Sequence, residues 1–183
     1  MDLILVRHPA TVVPRGTCYG ATDVEPDPDH LTADAARIAP QLPESARIVC
    51  SPQQRAQKLA THFGEPKTDP RLVEMNFGAW EMQRWDDLPR DQIDAWADDI
   101  LGYAPPDGES LGSVAARTIH WWEDQPRDQT IVAVAHGGPW RVLAAHLLGI
   151  PLQHSSRVEI EWGGRALFRI HDHGVQLRGW NLF

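Results

Sequence analysis

The chain contains three short apolar runs that have the pattern of buried strands. They cover residues 3–7, 47–50 and 130–135, and each is followed by a loop and then by apolar positions at helical spacing. A strand in a parallel sheet is covered on both faces, so its sequence is continuously apolar rather than alternating. The repeated order of strand and helix predicts a three-layer α/β/α sandwich with a mainly parallel central sheet.

Helix starts are predicted from capping residues. Thr32 is expected as the N-cap of a first helix, and Ser51 as the N-cap of a second, in which Pro52 takes the first helical position. These residue types satisfy, or dispense with, the free N–H groups at a helix start. Ser110 is expected to cap a third helix that reaches about residue 124.

The last part of the chain combines one helix with alternating segments. A helix is expected near 140–148, where a glycine ends it. Residues 157–162, 166–170 and 175–180 alternate between polar and apolar side chains, and Gly163-Gly164 is a hairpin signal. This pattern predicts a meander of strands added to the edge of the sheet.

Residues 65–109 form the least regular stretch, which is rich in Pro, Asp and Trp. A helix near 90–100 is expected inside it. An insertion of this kind between sheet elements is typical of a small cap over a binding site. Trp80, Met82 and Trp85 lie in this stretch, and we expect them to cover a flat apolar group of a substrate.

Composition narrows the class of protein. A length of 183 residues fits one domain, 1–183, and the net charge of −8 argues against a general nucleic-acid surface. The two cysteines do not make a disulfide framework. No signal peptide and no run of about 20 apolar residues is recognised. We therefore expect a cytoplasmic protein that binds neither nucleic acid nor membrane.

Chemically active residues follow two of the predicted strands. Arg7 and His8 end the first strand, and His136 follows the third. Parallel strands point their carboxyl ends to one edge of the sheet, which is where open α/β sheets bind ligands. The pair Arg7-His8 taken alone would also fit a sheet end satisfied by local hydrogen bonds, and His136 alone would fit a core histidine bonded to the backbone. Together they indicate a site for an anionic ligand.

Four segments, in the same order along the chain, resemble the motifs of the histidine phosphatase (phosphoglycerate mutase-like) superfamily. They are Val-Arg-His at 6–8, Ser-Pro-Gln-Gln-Arg-Ala at 51–56, the stretch 72–81 around Glu74, and Ala-His-Gly at 135–137. A finer resemblance, to the alpha-ribazole phosphatase group of cobalamin biosynthesis, is carried by 18–23, 77–82, 86–88 and 108–111.

The resemblance implies a phosphomonoesterase that acts through a phosphohistidine. In that mechanism His8 is the nucleophile, Glu74 is the proton donor, and Arg7, Arg55 and His136 bind the phosphoryl group. The residue chemistry agrees, because a neutral imidazole can attack phosphorus while cations stabilise the equatorial oxygens. Nearby arginines also disfavour the imidazolium form.

The choice of proton donor stays open on the sequence. Glu74 is favoured, but Glu81 and Asp23 could lie close to it. Glu81 could instead hold its loop by accepting hydrogen bonds from backbone N–H groups.

One phosphate contact of the family is missing here. The asparagine often found six residues after the nucleophile is Pro14 in this chain. Arg15, Tyr19 and the Gly20 backbone are candidates to replace it, and Tyr19 and Gly20 are predicted to bind substrate. Gly137 is predicted to let the backbone approach the phosphate closely.

Neither a cofactor nor a metal is predicted. The glycine-rich phosphate loop of NTPases is absent from the sequence. His171 and His173 have a spacing that could bind metal, but the sequence offers no third ligand, so a solvated strand face is preferred.

The leading functional prediction is therefore dephosphorylation of alpha-ribazole 5′-phosphate, with a small phosphorylated molecule as the only expected partner. A broad-specificity phosphatase and a phosphoglycerate mutase are alternatives on the same site. A non-catalytic phospho-ligand binding module is a further alternative, which retention of the motif residues disfavours. The oligomeric state is left open.

Overall fold

The centre of the fold is a six-stranded sheet in which four neighbouring strands are parallel. The computed structural model describes residues 1–183. The strands are β1 (Asp2–Arg7), β2 (Arg47–Cys50), β3 (Lys67–Thr68), β4 (Ile131–Ala135), β5 (Arg165–His171) and β6 (Gly174–Leu182). Their order across the sheet is β3-β2-β4-β1-β5-β6. The predicted strands at 3–7, 47–50 and 130–135 are thus confirmed to within one residue.

Helices cover both faces of the sheet. They are α1 (Pro28–Ile38), α2 (Gln54–Ala60), α3 (Arg90–Asp98), α4 (Leu111–Glu123) and α5 (Gly137–Leu148). Leu3 and Leu5 of β1 share one core with residues of α4 and α5, while Ile4 and Val6 share another with residues of α1 and α2. Successive side chains of a strand point to opposite faces, so β1 needs apolar residues throughout. The predicted three-layer α/β/α architecture is confirmed. None of the five helices combines the length and apolar character that crossing a bilayer requires.

Two helix starts differ from the prediction. Helix α1 begins at Pro28, because the Asp27 carboxylate accepts hydrogen bonds from the N–H groups of Asp29 (3.1 Å) and His30 (3.0 Å) and so acts as the cap. Thr32 is therefore inside the helix, where its hydroxyl donates to the Pro28 carbonyl.

The second helix also begins later than expected. Ser51 does not cap it, since α2 starts at Gln54 after an extended Gln53. The Ser51 hydroxyl accepts only from the Gln53 N–H, at 3.3 Å. The side-chain amide of Gln53 donates to the Gly20 carbonyl at 2.7 Å, and the N–H of Gln54, the first helical residue, donates to the carboxylate of Asp23 at 2.8 Å.

Later helices agree more closely with the sequence. The Ser110 hydroxyl caps α4 by accepting from the Ser113 N–H at 3.2 Å, as predicted. Helix α5 begins at Gly137, three residues before the expected start, and ends at Gly149 in the left-handed conformation (φ 67°).

The strands predicted at 166–170 and 175–180 are confirmed, but the first predicted strand and the hairpin at Gly163-Gly164 are wrong, since the β5–β6 hairpin turns at 172–173. Strands β5 and β6 form an antiparallel pair beside β1. Residues 157–162 do not form a strand, because β5 already occupies the free edge of β1 through pairs such as Leu3–Phe168. The alternation in this segment arises because Ile160 is buried in the core while Glu159 and Glu161 stay exposed.

The stretch 65–109 begins inside the sheet and then leaves it. Strand β3 pairs with β2, and the chain then forms short 3₁₀ turns followed by helix α3, close to the predicted 90–100. Phe77, Trp80, Trp85, Trp96 and Tyr103 pack together in this region. The boundaries proposed for the cap, and the assignment of 1–183 to one domain, stay predictions.

Candidate active site

The carboxyl ends of β1 and β4 place two histidines side by side. Arg7 pairs with Ala135 in the parallel ladder, so His8 and His136 follow on neighbouring strands. The backbone N–H of His8 donates to the Ala135 carbonyl at 2.9 Å. The two imidazole rings are 5.1 Å apart between centroids, with an angle of 58° between their planes.

A backbone carbonyl determines the tautomer of His8. Its Nδ1 lies 2.6 Å from the carbonyl oxygen of Pro9, which can only accept, so Nδ1 carries the proton and donates it. The other nitrogen, Nε2, then keeps its lone pair as long as the ring is neutral. This is the state that a nucleophilic histidine requires.

The electrostatic environment keeps both rings neutral. Burial, followed by the charges of Arg55 and Arg7, holds the pKa of His8 well below its ordinary value. Burial also lowers the pKa of His136 far below its usual range, and the nearby Arg55, His8, Arg7 and Arg117 act in the same direction.

Several buried polar atoms of this group have no protein partner. They are both ring nitrogens of His136, Nε of Arg55 and Nε of Arg7. A buried donor without an acceptor is costly, and nearly all such groups in proteins are paired. An oxyanion with several acceptor oxygens, such as a phosphoryl group, would accept from both arginine Nε–H groups and from the one nitrogen of the neutral His136 ring that carries a proton.

Arg55 is fully buried, and backbone carbonyl groups accept hydrogen bonds from both of its terminal nitrogens. Its Nη2 donates to the Gly20 carbonyl at 2.6 Å, and its Nη1 donates to the Thr22 carbonyl at 3.0 Å. The Tyr19 ring lies under the guanidinium at 5.4 Å. Gly20 therefore acts on Arg55 through its carbonyl group and does not line the cleft. A side chain at Gly20 would collide with the Met75 carbonyl oxygen.

The first turn of α5 closes the site on the other side. A methyl group at Gly137 would lie 3.3 Å from Cζ of Arg7. The absence of a side chain at Gly137 therefore leaves room for the guanidinium of Arg7. Trp140, one turn further, donates from Nε1 to the Val6 carbonyl at 2.8 Å and fastens the helix to the end of β1.

Glu74 lies on the wall of the cleft beside this turn. Its Oε1 accepts hydrogen bonds from the N–H groups of Met75 at 2.9 Å and Gly138 at 3.1 Å. Any side chain at Gly138 would strike the carboxylate. The carboxyl group therefore has a defined position at the edge of the site, with access to the space in front of His8.

Glu81 has a different environment, which suits a residue that holds neighbouring loops together through hydrogen bonds. Its carboxylate accepts from the N–H groups of Ala21 (2.7 Å), Thr22 (2.6 Å) and Phe77 (3.0 Å), and also from the Thr22 hydroxyl. Burial alone would raise the pKa of Glu81, but the hydrogen bonds from Thr22, Phe77 and Ala21 outweigh it and lower the pKa. A carboxylate held in its charged form by four donors is poorly suited to give up a proton, so Glu74 is favoured as the acid.

Two polar side chains that the sequence did not single out support Glu74. Gln53 accepts from the Glu74 N–H at 2.8 Å and donates to the Gly20 carbonyl, which ties the two loops together. Arg117 donates to the Glu74 carbonyl at 3.3 Å and forms an ion pair with Glu109 at 2.8 Å. Neither residue has a local signal, because each acts on a segment at least 20 positions away in the sequence.

A cleft of about 360 Å³ opens in front of His8. Polar and apolar side chains line different parts of it. The polar ones include Arg7, His8, Arg15, Tyr19, Glu74, Arg141, Gln153 and Ser156, and the apolar ones include Phe77, Trp85, Trp96, Ile100, Leu111 and Trp162.

The aromatic side chains that line the cleft differ in part from those expected to cover the substrate. Trp85 lines the cleft as predicted, and it stacks on Trp96 with centroids 5.9 Å apart and planes inclined by 16°. Phe77 meets Trp85 edge-on at 5.4 Å. Trp80 is buried behind this pair, and Met82 points into solvent, so the prediction that these two cover the substrate is wrong.

The candidates for the missing asparagine contact are separated by the structure. Arg15 and Tyr19 line the cleft, as does Pro14 itself, whereas Gly20 does not. Arg15 also lies 5.8 Å from the Trp162 ring.

No group of three or more His, Cys, Asp or Glu side chains is arranged to hold a metal ion, and His171 and His173 are exposed at the end of the β5–β6 pair.

Comparison with known families agrees with this geometry. The model of the histidine phosphatase superfamily (branch 1) matches residues 3–182. The chain belongs to this superfamily. The match covers nearly the whole chain and therefore includes all four motif segments recognised in the sequence.

Similar proteins include phosphatases with different substrates. An adenosylcobalamin/alpha-ribazole phosphatase of Salmonella typhimurium is 28% identical over 176 residues, covering 89% of this chain and 87% of the relative. A glucosyl-3-phosphoglycerate phosphatase of Mycobacterium tuberculosis is 31% identical over 176 residues, covering 82% and 76%. The crystal structure of the alpha-ribazole phosphatase from Shigella flexneri superposes with a TM-score of 0.88 at 26% identity, covering 100% of this chain and 96% of that one.

The two buried histidines should make the protein less stable in acid. In the unfolded chain their pKa is about 6.5, whereas in the fold both values are much lower. Below pH 6.5 only the unfolded chain takes up these protons, so the free energy of unfolding falls by up to about 1.4 kcal/mol per pH unit for each histidine. Urea unfolding between pH 5 and 8 should show this slope. His8→Asn and His136→Asn should each reduce it, and the exposed His146→Asn should not. An unchanged slope in both buried variants would contradict the assignment.

Proposed function

We propose that this protein hydrolyses phosphate monoesters through a phosphohistidine on His8. The observation that carries the proposal is the state of His8: a neutral ring, with Nδ1 donating to Pro9 and Nε2 free, next to buried donors that lack partners. An uncharged nucleophile surrounded by unpaired cationic donors suits attack on a phosphoryl group.

In the first step, Nε2 of His8 attacks phosphorus, and the N–P bond forms as the bond to the ester oxygen breaks. Arg7, Arg55 and His136 stabilise the charge on the equatorial oxygens. Glu74 gives its proton to the leaving oxygen, which departs as an alcohol.

In the second step, water attacks the phosphohistidine and Glu74 takes a proton from it. The N–P bond breaks, inorganic phosphate leaves, and His8 returns to its neutral state. No metal ion takes part in this mechanism.

For the substrate, we propose alpha-ribazole 5′-phosphate. The stacked pair of Trp85 and Trp96, with Phe77 beside it, offers a flat apolar surface for a benzimidazole base while the 5′-phosphate reaches His8. The names of the Salmonella and Shigella relatives support the same choice. The reaction would then belong to cobalamin biosynthesis.

A second candidate is a phosphorylated sugar acid such as glucosyl-3-phosphoglycerate. It is favoured by the cationic part of the cleft, where Arg15 and Arg141 could bind a carboxylate, and by the name of the mycobacterial relative. A broad-specificity phosphatase or a phosphoglycerate mutase would use the same catalytic residues. A non-catalytic binding module is disfavoured because the whole catalytic set is retained.

We further propose a cytoplasmic enzyme whose partner is a small phosphorylated molecule rather than nucleic acid or membrane.

The nucleophile can be tested by trapping the intermediate. Rapid quench of the wild-type protein with labelled substrate should leave acid-labile, base-stable label on His8. His8→Ala should lose turnover of an aryl phosphate by at least about 10³-fold. Addition of EDTA should leave the wild-type rate unchanged. Label on another residue, near-normal turnover by the variant, or loss of activity with EDTA would contradict the mechanism.

The role of Glu74 can be separated from that of Glu81 by the leaving group. Glu74→Gln should slow hydrolysis of an alkyl phosphate by about 10²- to 10⁴-fold but that of p-nitrophenyl phosphate much less, because nitrophenolate needs little protonation. Glu81→Gln is the matched control, and it should affect both substrates alike through the loop that it braces. If Glu74→Gln lost both activities equally, Glu74 would not be the acid.

The substrate choice predicts a ranking of kcat/KM. The kcat/KM for alpha-ribazole 5′-phosphate should be higher than that for 3-phosphoglycerate and that for glucosyl-3-phosphoglycerate. An aromatic stack contributes about 0.5–1.5 kcal/mol beyond burial. Trp85→Ala or Trp96→Ala should therefore reduce the preference in kcat/KM for alpha-ribazole 5′-phosphate by up to about tenfold. Small aryl phosphates should be spared, and Met82→Ala, outside the cleft, should change nothing. A preference for glucosyl-3-phosphoglycerate would transfer the assignment to the second candidate.

A further inference from the structure

The segment 159–162 packs against the guanidinium of Arg7. Nη1 of Arg7 donates to the Ile160 carbonyl at 2.7 Å and to Oε1 of Glu159 at 3.2 Å. The Trp162 ring lies 5.4 Å from Cζ of Arg7. These three contacts come from a segment about 150 residues away in the sequence. They leave the guanidinium little freedom to rotate.

The contacts decide which edge of Arg7 faces the site. Nη1 is committed to Glu159 and Ile160, whereas Nε is buried without a partner. Cζ, Nη2 and Nε of Arg7 lie 3.3, 3.5 and 3.6 Å from where a Cβ at Gly137 would be, so this side of the guanidinium adjoins the first turn of α5. The Nε–Nη2 edge is therefore the one available to bind two oxygens of a phosphoryl group in bidentate fashion.

The same Glu159 oxygen also holds a second arginine. Nη2 of Arg141 donates to Oε1 of Glu159 at 2.7 Å. Arg141 lies one helical turn after Gly137 and lines the cleft. Burial alone would raise the pKa of Glu159, but Arg141 and then Arg7 outweigh burial and lower the pKa, so the group stays ionised near neutral pH.

We propose that Glu159 is a positioning residue that orients Arg7, and with it Arg141, toward the phosphoryl-binding end of the cleft. It deepens the proposed function and rests on it, because the anion that Arg7 would bind is the phosphoryl group. Glu159 acts through the arginines and does not touch the substrate itself.

A purely structural role predicts a different pattern of effects. The Glu159 side chain is 46% exposed, and exposed ion pairs contribute little to stability. Removing the carboxylate should therefore leave the melting temperature nearly unchanged while it weakens anion binding. A glutamine can still accept through Oε1, the atom that receives both arginines, and so should keep the orientation.

The test measures binding of inorganic phosphate and orthovanadate by calorimetry, without turnover. Glu159→Ala should weaken vanadate binding about tenfold, the scale of one charge-assisted hydrogen bond, and should raise KM more than it lowers kcat. Glu159→Gln should stay within about threefold of wild type, which corresponds to about 0.7 kcal/mol. Glu161→Ala removes the same charge from an exposed neighbour that does not contact Arg7, and it should bind like wild type.

Each outcome bears on a single claim. If Glu159→Ala bound vanadate as wild type does, the positioning role would be wrong while the proposed function survived. If Glu159→Gln were as weak as Glu159→Ala, charge rather than orientation would be responsible, and the proposal would also be overturned. If wild type failed to bind phosphate or vanadate at all, the proposed function itself would fail.

Discussion

The buried guanidinium of Arg55 is the constraint to which the surrounding loops are fitted. A cation without solvent contact must have acceptors, and the nearest ones are the carbonyl groups of Gly20 and Thr22. To provide them, the loop after β1 has to fold back over α2, and Gly20 has to lie against the Met75 carbonyl, where no side chain fits. Arg55 held in this way has its charge close to His8 and His136, which follow neighbouring strands of the sheet, and that charge lowers the pKa of both rings.

The irregular loops of the site depend on a small set of side chains that bond to backbone groups. Gln53 joins the loop that contains Gly20 to the loop that contains Glu74, and Glu81 joins the same two segments through four donors. Arg117 reaches Glu74 from α4. Glu159 holds Arg7 from the segment before β5. The catalytic groups are thus positioned by polar contacts across the ends of the elements, while the ladder between β1 and β4 places His8 beside His136.

The sequence predicted best where a single physical requirement acts. Strands β1, β2 and β4 are covered on both faces, so their sequences are apolar without interruption and their limits were right to within one residue. Ser110 caps α4 because its bond is local. Thr32 and Ser51 failed as caps, since Asp27 caps α1 and the first N–H of α2 is bound by Asp23, a residue distant in sequence. The segment 157–162 alternates like a strand, yet β5 had already taken the edge that it would need.

The sequence by itself determined the class of fold and, through its motifs, the residues that meet at the end of the sheet: His8, His136, Arg7, Arg55 and Glu74. It could do so because strand periodicity and short motifs are local properties, and because parallel strands end at one edge. Only the tertiary structure decided that Gly20 supports Arg55 rather than the substrate, that Trp96 joins Trp85 on the cleft in place of Trp80 and Met82, and that Glu159 orients Arg7. These roles arise from contacts between segments far apart in the chain, and no local pattern records which distant backbone group or ring a side chain will meet.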